Sequence, residues 1–186
     1  AQVRSYYLSV PPRYTGQRRV PLLVDLHGQG SNAQQQILLT RMRDQAGARG
    51  WLVATPEAGR VSWRFPPDSD VGPASLVDVA FLRALIADVG RRLCVDEGRV
   101  FASGITMGAG LAAALSCDDD QPFAAVAPVA GVNTVPPCPG RPPVAVVAVH
   151  GTVDRNVPYR ASPWYDAVGR RMRDWADRNG CTSDPV

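Results

Sequence analysis

Residues 104 to 108 read Gly104-Ile105-Thr106-Met107-Gly108, the spacing of a nucleophile elbow with threonine at its centre. An elbow holds its central residue on a strained strand-to-helix turn, so that the side-chain oxygen stands above a sheet and the next backbone N–H can bind an oxyanion. Thr106 keeps the hydroxyl and adds a methyl group. The turn calls for a positive φ, where a β-branched side chain is an outlier, and the flanking glycines relieve that crowding only in part. A second group is Leu26-His27-Gly28-Gln29-Gly30, where glycines after an apolar run let the backbone approach a ligand closely. Backbone N–H groups of Gln29 and Met107 would there hold a tetrahedral oxyanion, a pair worth on the order of 3 kcal/mol of transition-state stabilisation. Taken alone, the His-Gly pair reads equally well as a tight turn. Further on, Asp154 in His150-Gly151-Thr152-Val153-Asp154 fits the chain order of nucleophile, acid, then histidine. Its competing role is to bond the turn on which it sits.

These residues need a scaffold, and the order of elements supplies one. A strand around Arg4 to Val10 leads through Pro11-Pro12 into Pro21 to Leu26, a continuous apolar run suited to a central parallel strand. A helix capped by Ser31 or Asn32 follows, with Ile37, Leu38 and Met42 as its expected buried stripe. Trp51 to Ala54 reads as a short strand and Thr55 to Ala74 as a long loop of the kind that shapes sites. Ser75 is expected to cap a helix running to about Leu93, with Val79, Leu82, Leu85, Ile86 and Val89 buried. Arg99 to Ser103 is a strand feeding the elbow, and Met107 to Ser116 a small-residue helix behind it. Ala124 to Val129 and Val144 to Val149 read as buried strands, and Trp164 to Asn179 as a last helix stopped by Gly180. Alternating strands and helices imply one domain over residues 1 to 186, an α/β three-layer sandwich with a mostly parallel sheet.

Composition excludes several classes of function. The chain has 45% apolar and 20% charged residues, as a globular domain does. All 20 basic residues are arginine, and they are scattered over a net charge of only +3, so a solvated surface accounts for them better than nucleic-acid binding. No run of about 18 apolar residues exists to span a membrane. Ala1-Gln2-Val3 opens without a basic or apolar leader region, so a signal peptide is expected to be absent or already removed, and cysteine usage favours removal. Cys94, Cys117, Cys138 and Cys181 make no Cys-x-x-Cys pair, which argues against a metal and for disulfides over four buried thiols. That points to an extracellular or cell-envelope address. Of the three connectivities available to four cysteines, the reading leans to Cys117 with Cys138, both following elements beside the elbow.

Three motifs in the right order carry a resemblance. Pro21 to Gly28, Asp78 to Leu82, Val95-Asp96 with Arg99-Val100, Gly104 to Gly108, Phe123 to Gly131, His150 to Asp154, and Trp175-Ala176 with Asn179-Gly180-Cys181 are similar to the α/β-hydrolases of the polyhydroxybutyrate depolymerase-like, feruloyl and acetyl-xylan esterase group. The resemblance covers almost the whole chain. It implies an α/β-hydrolase sandwich that cleaves carboxylic esters through an acyl-enzyme, with a nucleophile, a histidine and an acid and without a cofactor or metal. Thr106 matches the nucleophile position, Asp154 the acid, and Gln29 with Met107 the oxyanion donors. His27 and Trp63 are expected to line the substrate pocket, and Trp63 reads equally well as a loop anchor over the core.

Both histidines, His27 and His150, fall outside the family's histidine position. Members of the group continue past Asn179-Gly180-Cys181 into another strand and a histidine loop, so the expectation is a domain trimmed or truncated before that strand. Threonine and the unmatched histidine together lead to an expected ester hydrolase, acting on a small-molecule or polymeric ester, with impaired turnover. The alternative is a pseudoenzyme that keeps the pocket for binding.

Overall fold

The computed structural model describes residues 3–59, 62–63, 77–117 and 123–185. Among the described residues six strands form one sheet: β1 (Tyr6–Ser9), β2 (Val20–Leu26), β3 (Leu52–Pro56), β4 (Val95–Ile105), β5 (Ala125–Val129) and β6 (Ala145–Val146). Their order is β1-β3-β2-β4-β5-β6, with β1 antiparallel to β3 and every other pair parallel. The helices are α1 (Ala33–Thr40), α2 (Met42–Gly47), α3 (Val77–Arg92), α4 (Met107–Leu115) and α5 (Val168–Arg178).

Strand alternation sorts the side chains between two faces. Leu22, Val24 and Leu26 of β2, Leu52 and Ala54 of β3, and Val100 and Ala102 of β4 point into the main core against α3 and α4. On the other face, Leu23 and Val53 pack with Ala46 of α2 in a much smaller cluster, with Met42, Trp51 and Phe101 partly buried against it. Helix α3 buries the expected Val79, Leu82, Leu85, Ile86 and Val89. Helix α4 buries every residue from Gly108 to Leu115, which its glycine and alanine content permits by letting the helix lie close to the sheet.

Several elements differ from their sequence reading. Arg41 takes φ 52 and splits the first helical stretch into α1 and α2. The stripe expected there is not buried: Leu38 is 76% exposed, and the enclosed residues of α1 are Ala33 and Gln36. Asn32 is the cap, accepting the Gln35 N–H at 2.9 Å, while Ser31 donates to the Gln35 side chain. The last helix starts at Val168 rather than Trp164, because Ser162 Oγ accepts the N–H groups of Trp164 and Tyr165 in a turn that leaves Trp164 exposed. Strand β6 is shorter than expected, although Val149 still bridges to Val129. The expected Ser75 cap and most of the long loop lie outside the described residues.

Cys117 and Cys138 are joined by a disulfide across a sequence separation of 21 residues, while Cys94 and Cys181 are free and exposed. Among the described residues no helix is long and apolar enough to cross a membrane. The disulfide closes the segment between α4 and the approach to β6. Closing a loop of that length removes denatured-state entropy worth about 3 kcal/mol, so Cys117→Ala with Cys138→Ala should lower unfolding stability by about that amount in urea titrations, with free Cys94 and Cys181 unaffected.

Candidate active site

Thr106 stands between β4 and α4 with φ 50 and ψ −112, the positive φ that an elbow requires. Its N–H donates to Val129 O at 3.0 Å, and its carbonyl accepts the Gly110 N–H at 3.1 Å. The residue is therefore pinned on both sides of a backbone conformation that a β-branched side chain disfavours. Met107 is the first residue of α4, so its N–H has no intrahelical acceptor and remains available at the helix N-terminus.

The loop after β2 supplies the second donor. Gln29 N–H points at Thr106 Oγ1 across 3.3 Å. Gly28 makes this approach possible, since a Cβ at that position would lie 2.6 Å from Thr106 Oγ1. The elbow also needs Gly108, where a Cβ would run into the carbonyls of Leu26 and His27. The Gln29 and Met107 donors thus sit on two segments in direct contact.

His27 and Trp63 are at the site in a different capacity from the pocket lining expected of them. His27 is 0% exposed and Trp63 2%, so neither offers a surface to a ligand. His27 Nδ1 donates to Gly28 O at 2.8 Å, while Nε2 accepts the Ala58 N–H at 3.1 Å, a pattern that puts the ring proton on Nδ1. Trp63 Nε1 donates to His27 O at 2.7 Å, with its ring centroid 4.8 Å from the imidazole. Both rings brace the loop from inside. Trp63 is the core anchor that its alternative reading described.

Asp154 lies on the turn after β6. Its Oδ1 accepts the N–H groups of Asn156 at 2.9 Å and Val157 at 3.0 Å, and its Oδ2 is 3.8 Å from His150 Nε2. The Val157 N–H, then that of Asn156, and the nearby His150 hold the carboxyl below the usual range, against a smaller opposing effect of burial. Asp154 therefore bonds its own turn with Oδ1, while Oδ2 faces His150. His150 Nε2 donates to Val157 O at 2.7 Å, and its Nδ1 is buried without a bonded partner. Among the described residues, neither histidine bonds Thr106 or Gln29, so the structure brings elbow and oxyanion loop together and leaves Asp154 unattached to them.

Sequence reasoning missed Glu57, whose Oε1 accepts the Ala33 N–H at 3.1 Å at the start of α1, and Asn133, whose Nδ2 donates to Pro158 O and Asp166 O. Neither stands in a motif with an intrinsic chemical signature, since each acts by meeting backbone that is remote in sequence.

The family model described as esterase PHB depolymerase matches residues 4–136. The chain belongs to the esterase PHB depolymerase family. Among curated proteins it is 29% identical over 182 residues to a probable feruloyl esterase C of Aspergillus clavatus, covering 96% of this chain and 62% of that one. It is 32% identical over 142 residues to the putative esterase NocK of Nocardia uniformis subsp. tsuyamanensis, covering 75% and 41%. The chain therefore spans less than two thirds of the length of these relatives. Among solved structures, a thermostable esterase superposes with a TM-score of 0.59 at 20% identity, over 94% of this chain and 47% of that one. The mostly parallel sheet and these neighbours establish the α/β-hydrolase fold expected from the family's motifs.

The Gly28–Thr106 contact yields a direct test. Gly28→Ala should be destabilising through collision of the new methyl with Thr106 Oγ1, and Thr106→Ala in the same chain should recover much of the loss. A double-mutant cycle in denaturant should show a coupling of about 1–3 kcal/mol, whereas additive effects would mean that the two residues do not touch.

Proposed function

We propose that this esterase-family chain carries a carboxylic ester hydrolase site of the polyester-depolymerase or polysaccharide-acyl-esterase type, with turnover impaired by threonine. The observation that carries the reading is the 3.3 Å approach of Gln29 N–H to Thr106 Oγ1 on a positive-φ elbow. Thr106 Oγ1 is the nucleophile that would attack the ester carbonyl carbon, and the N–H groups of Gln29 and Met107 are the donors for the resulting oxyanion. Asp154, ionised and with Oδ2 unspent, fits the acid that would orient a histidine.

Turnover is limited by two features of the elbow. Attack requires Thr106 to lose its proton, and both ring nitrogens of His27 are committed to Gly28 and Ala58. The threonine methyl adds bulk beside the attacking oxygen, where a misplacement of about 1 Å costs on the order of 100-fold. Feruloyl esterase relatives and the family as a whole support an ester of a small molecule or a polymer as the ligand. The Cys117–Cys138 disulfide supports an extracellular or cell-envelope setting.

Hydrolysis of p-nitrophenyl acetate and butyrate by wild type, Thr106→Ser and Thr106→Ala tests this reading. Thr106→Ser should exceed wild type by roughly 10- to 100-fold, and wild type should stand only slightly above Thr106→Ala. Equal rates for wild type and Thr106→Ser would remove the claim of impairment. If Thr106→Ser is no faster than Thr106→Ala, the site binds esters without hydrolysing them, or does not bind them at all, and the hydrolase reading fails.

A further inference from the structure

Asp25, in β2, is 1% exposed, and no cation pairs with it among the described residues. Its Oδ1 accepts from Gln36 Nε2 at 2.9 Å and from Ser103 Oγ at 2.8 Å, and its Oδ2 accepts from Thr40 Oγ1 at 2.7 Å. Gln36 and Thr40 belong to α1, and Ser103 is the register partner of Asp25 on β4. One carboxyl group therefore ties a helix to two central strands. The segment between β2 and α1, residues 27 to 32, contains the Gln29 amide, and Asp25 holds the elements at both of its ends.

All three partners are neutral, and they can accommodate a proton on Asp25. Thr40 Oγ1 lies 3.0 Å from Gln36 O, so its hydrogen can turn there while the hydroxyl oxygen accepts from a protonated Oδ2. Gln36 presents its Nε2 to the carboxyl group, and its Oε1 is buried without a partner. The ionisable groups around this unit are few. Glu57 and His27 flank the start of α1 and the loop, while Arg41, Arg43 and Asp44 on α2 pair with one another at the surface. Burial pushes the Asp25 carboxyl above its ordinary range, partly offset by the bonds from Thr40, Gln36 and Ser103.

We propose that Asp25 is a proton-operated latch that positions the Gln29 amide. When neutral it locks α1 onto β2 and β4, and when ionised it draws α1 and the 27 to 32 segment toward water and loosens them. The sign follows from linkage: an opened form that lets water reach Asp25 binds the proton more weakly than the latched form. The latch is therefore firm at low pH and weakens as pH rises through the raised titration of Asp25. The consequence for an oxyanion rests on the function proposed above, but the latch itself does not.

Amide hydrogen exchange of Gln29, Gly30 and Gln36, corrected for intrinsic rates, tests the latch in the whole protein. In wild type, protection should be at least about tenfold lower at a pH above the Asp25 titration than at a pH below it. Asp25→Asn, close in shape to the neutral acid, should keep the acid-side protection at both pH values. A flat wild-type profile overturns the proposal. So does an Asp25→Asn profile that keeps the wild-type slope, since a group other than Asp25 would then carry it. If Asp25→Asn does not fold, the carboxyl ¹³C shift of Asp25 in wild type decides: titration in step with exchange supports the latch, and titration out of step overturns it. Because hydrolysis is not read, failed ester turnover would remove the catalytic reading and leave the latch standing.

Discussion

In a trans peptide the C=O and N–H point in opposite directions, so the bond from His27 Nδ1 to Gly28 O also aims the Gln29 N–H at Thr106. The Gly28 oxygen takes a second bond from Ser31 N–H at 3.2 Å. The histidine responsible is in turn fixed at Nε2 by Ala58 and at its carbonyl by Trp63. Each support is buried or partly buried, where a hydrogen bond left unmade costs about 1–3 kcal/mol, so the peptide plane has few other orientations open to it. The orientation of the Gln29 N–H is thus set largely by groups buried behind it.

Strain at the sheet's end is held by the same kind of over-determination. Ile105 of β4 is paired with Val129 of β5, and the next residue of each chain segment, Thr106 and Ala130, takes a positive φ of 50 and 51. Thr106 N–H reaches the last carbonyl of β5, and Ala130 N–H reaches Val149 O beyond β6. Each strained turn is secured by the neighbouring segment of the sheet. Non-glycine residues in sparsely populated regions cost of order 1–3 kcal/mol each, and bonds that only a correctly registered sheet can form are what hold them there. Threonine at the elbow is therefore compatible with the fold.

Much of this was legible in the residues because local rules and tertiary packing agree. The α3 stripe repeats at helical spacing and is buried as that spacing requires, and the apolar run of β2 is central. Positive φ at Thr106 follows from the motif. Misreadings arose where tertiary contacts overrule local pattern. Ile37, Leu38 and Met42 look like a stripe, yet Arg41 breaks the helix in a left-handed conformation and the polar Gln36 takes the buried position. His27 and Trp63 carry chemical groups that invite a place in the pocket, but their polar atoms are consumed by backbone at Gly28, Ala58 and His27 itself. No spacing rule announces a bond from Trp63 to His27, because the partners lie 36 residues apart and meet only through the tertiary fold.

The two faces of the sheet are held by different forces, and this sets where the site can move. The α3 and α4 face is a broad apolar core, worth roughly 1.5–3 kcal/mol for each large side chain removed from water. Helix α1 buries only Ala33 and Gln36 and leaves Leu38 and Leu39 to solvent, so apolar burial contributes little to its attachment. It is held instead by bonds at Asp25, Glu57 and the Asn32 cap, each worth about 1 kcal/mol net. Hydrogen bonds are directional where dispersion is not, so this helix has a well-defined seat but a shallow well. Elements held in that way open at lower free energy than the core they lie against. The elbow is backed by an apolar helix buried from Gly108 to Leu115, whereas the segment bearing Gln29 is seated by directional hydrogen bonds at His27, Ala58 and Trp63.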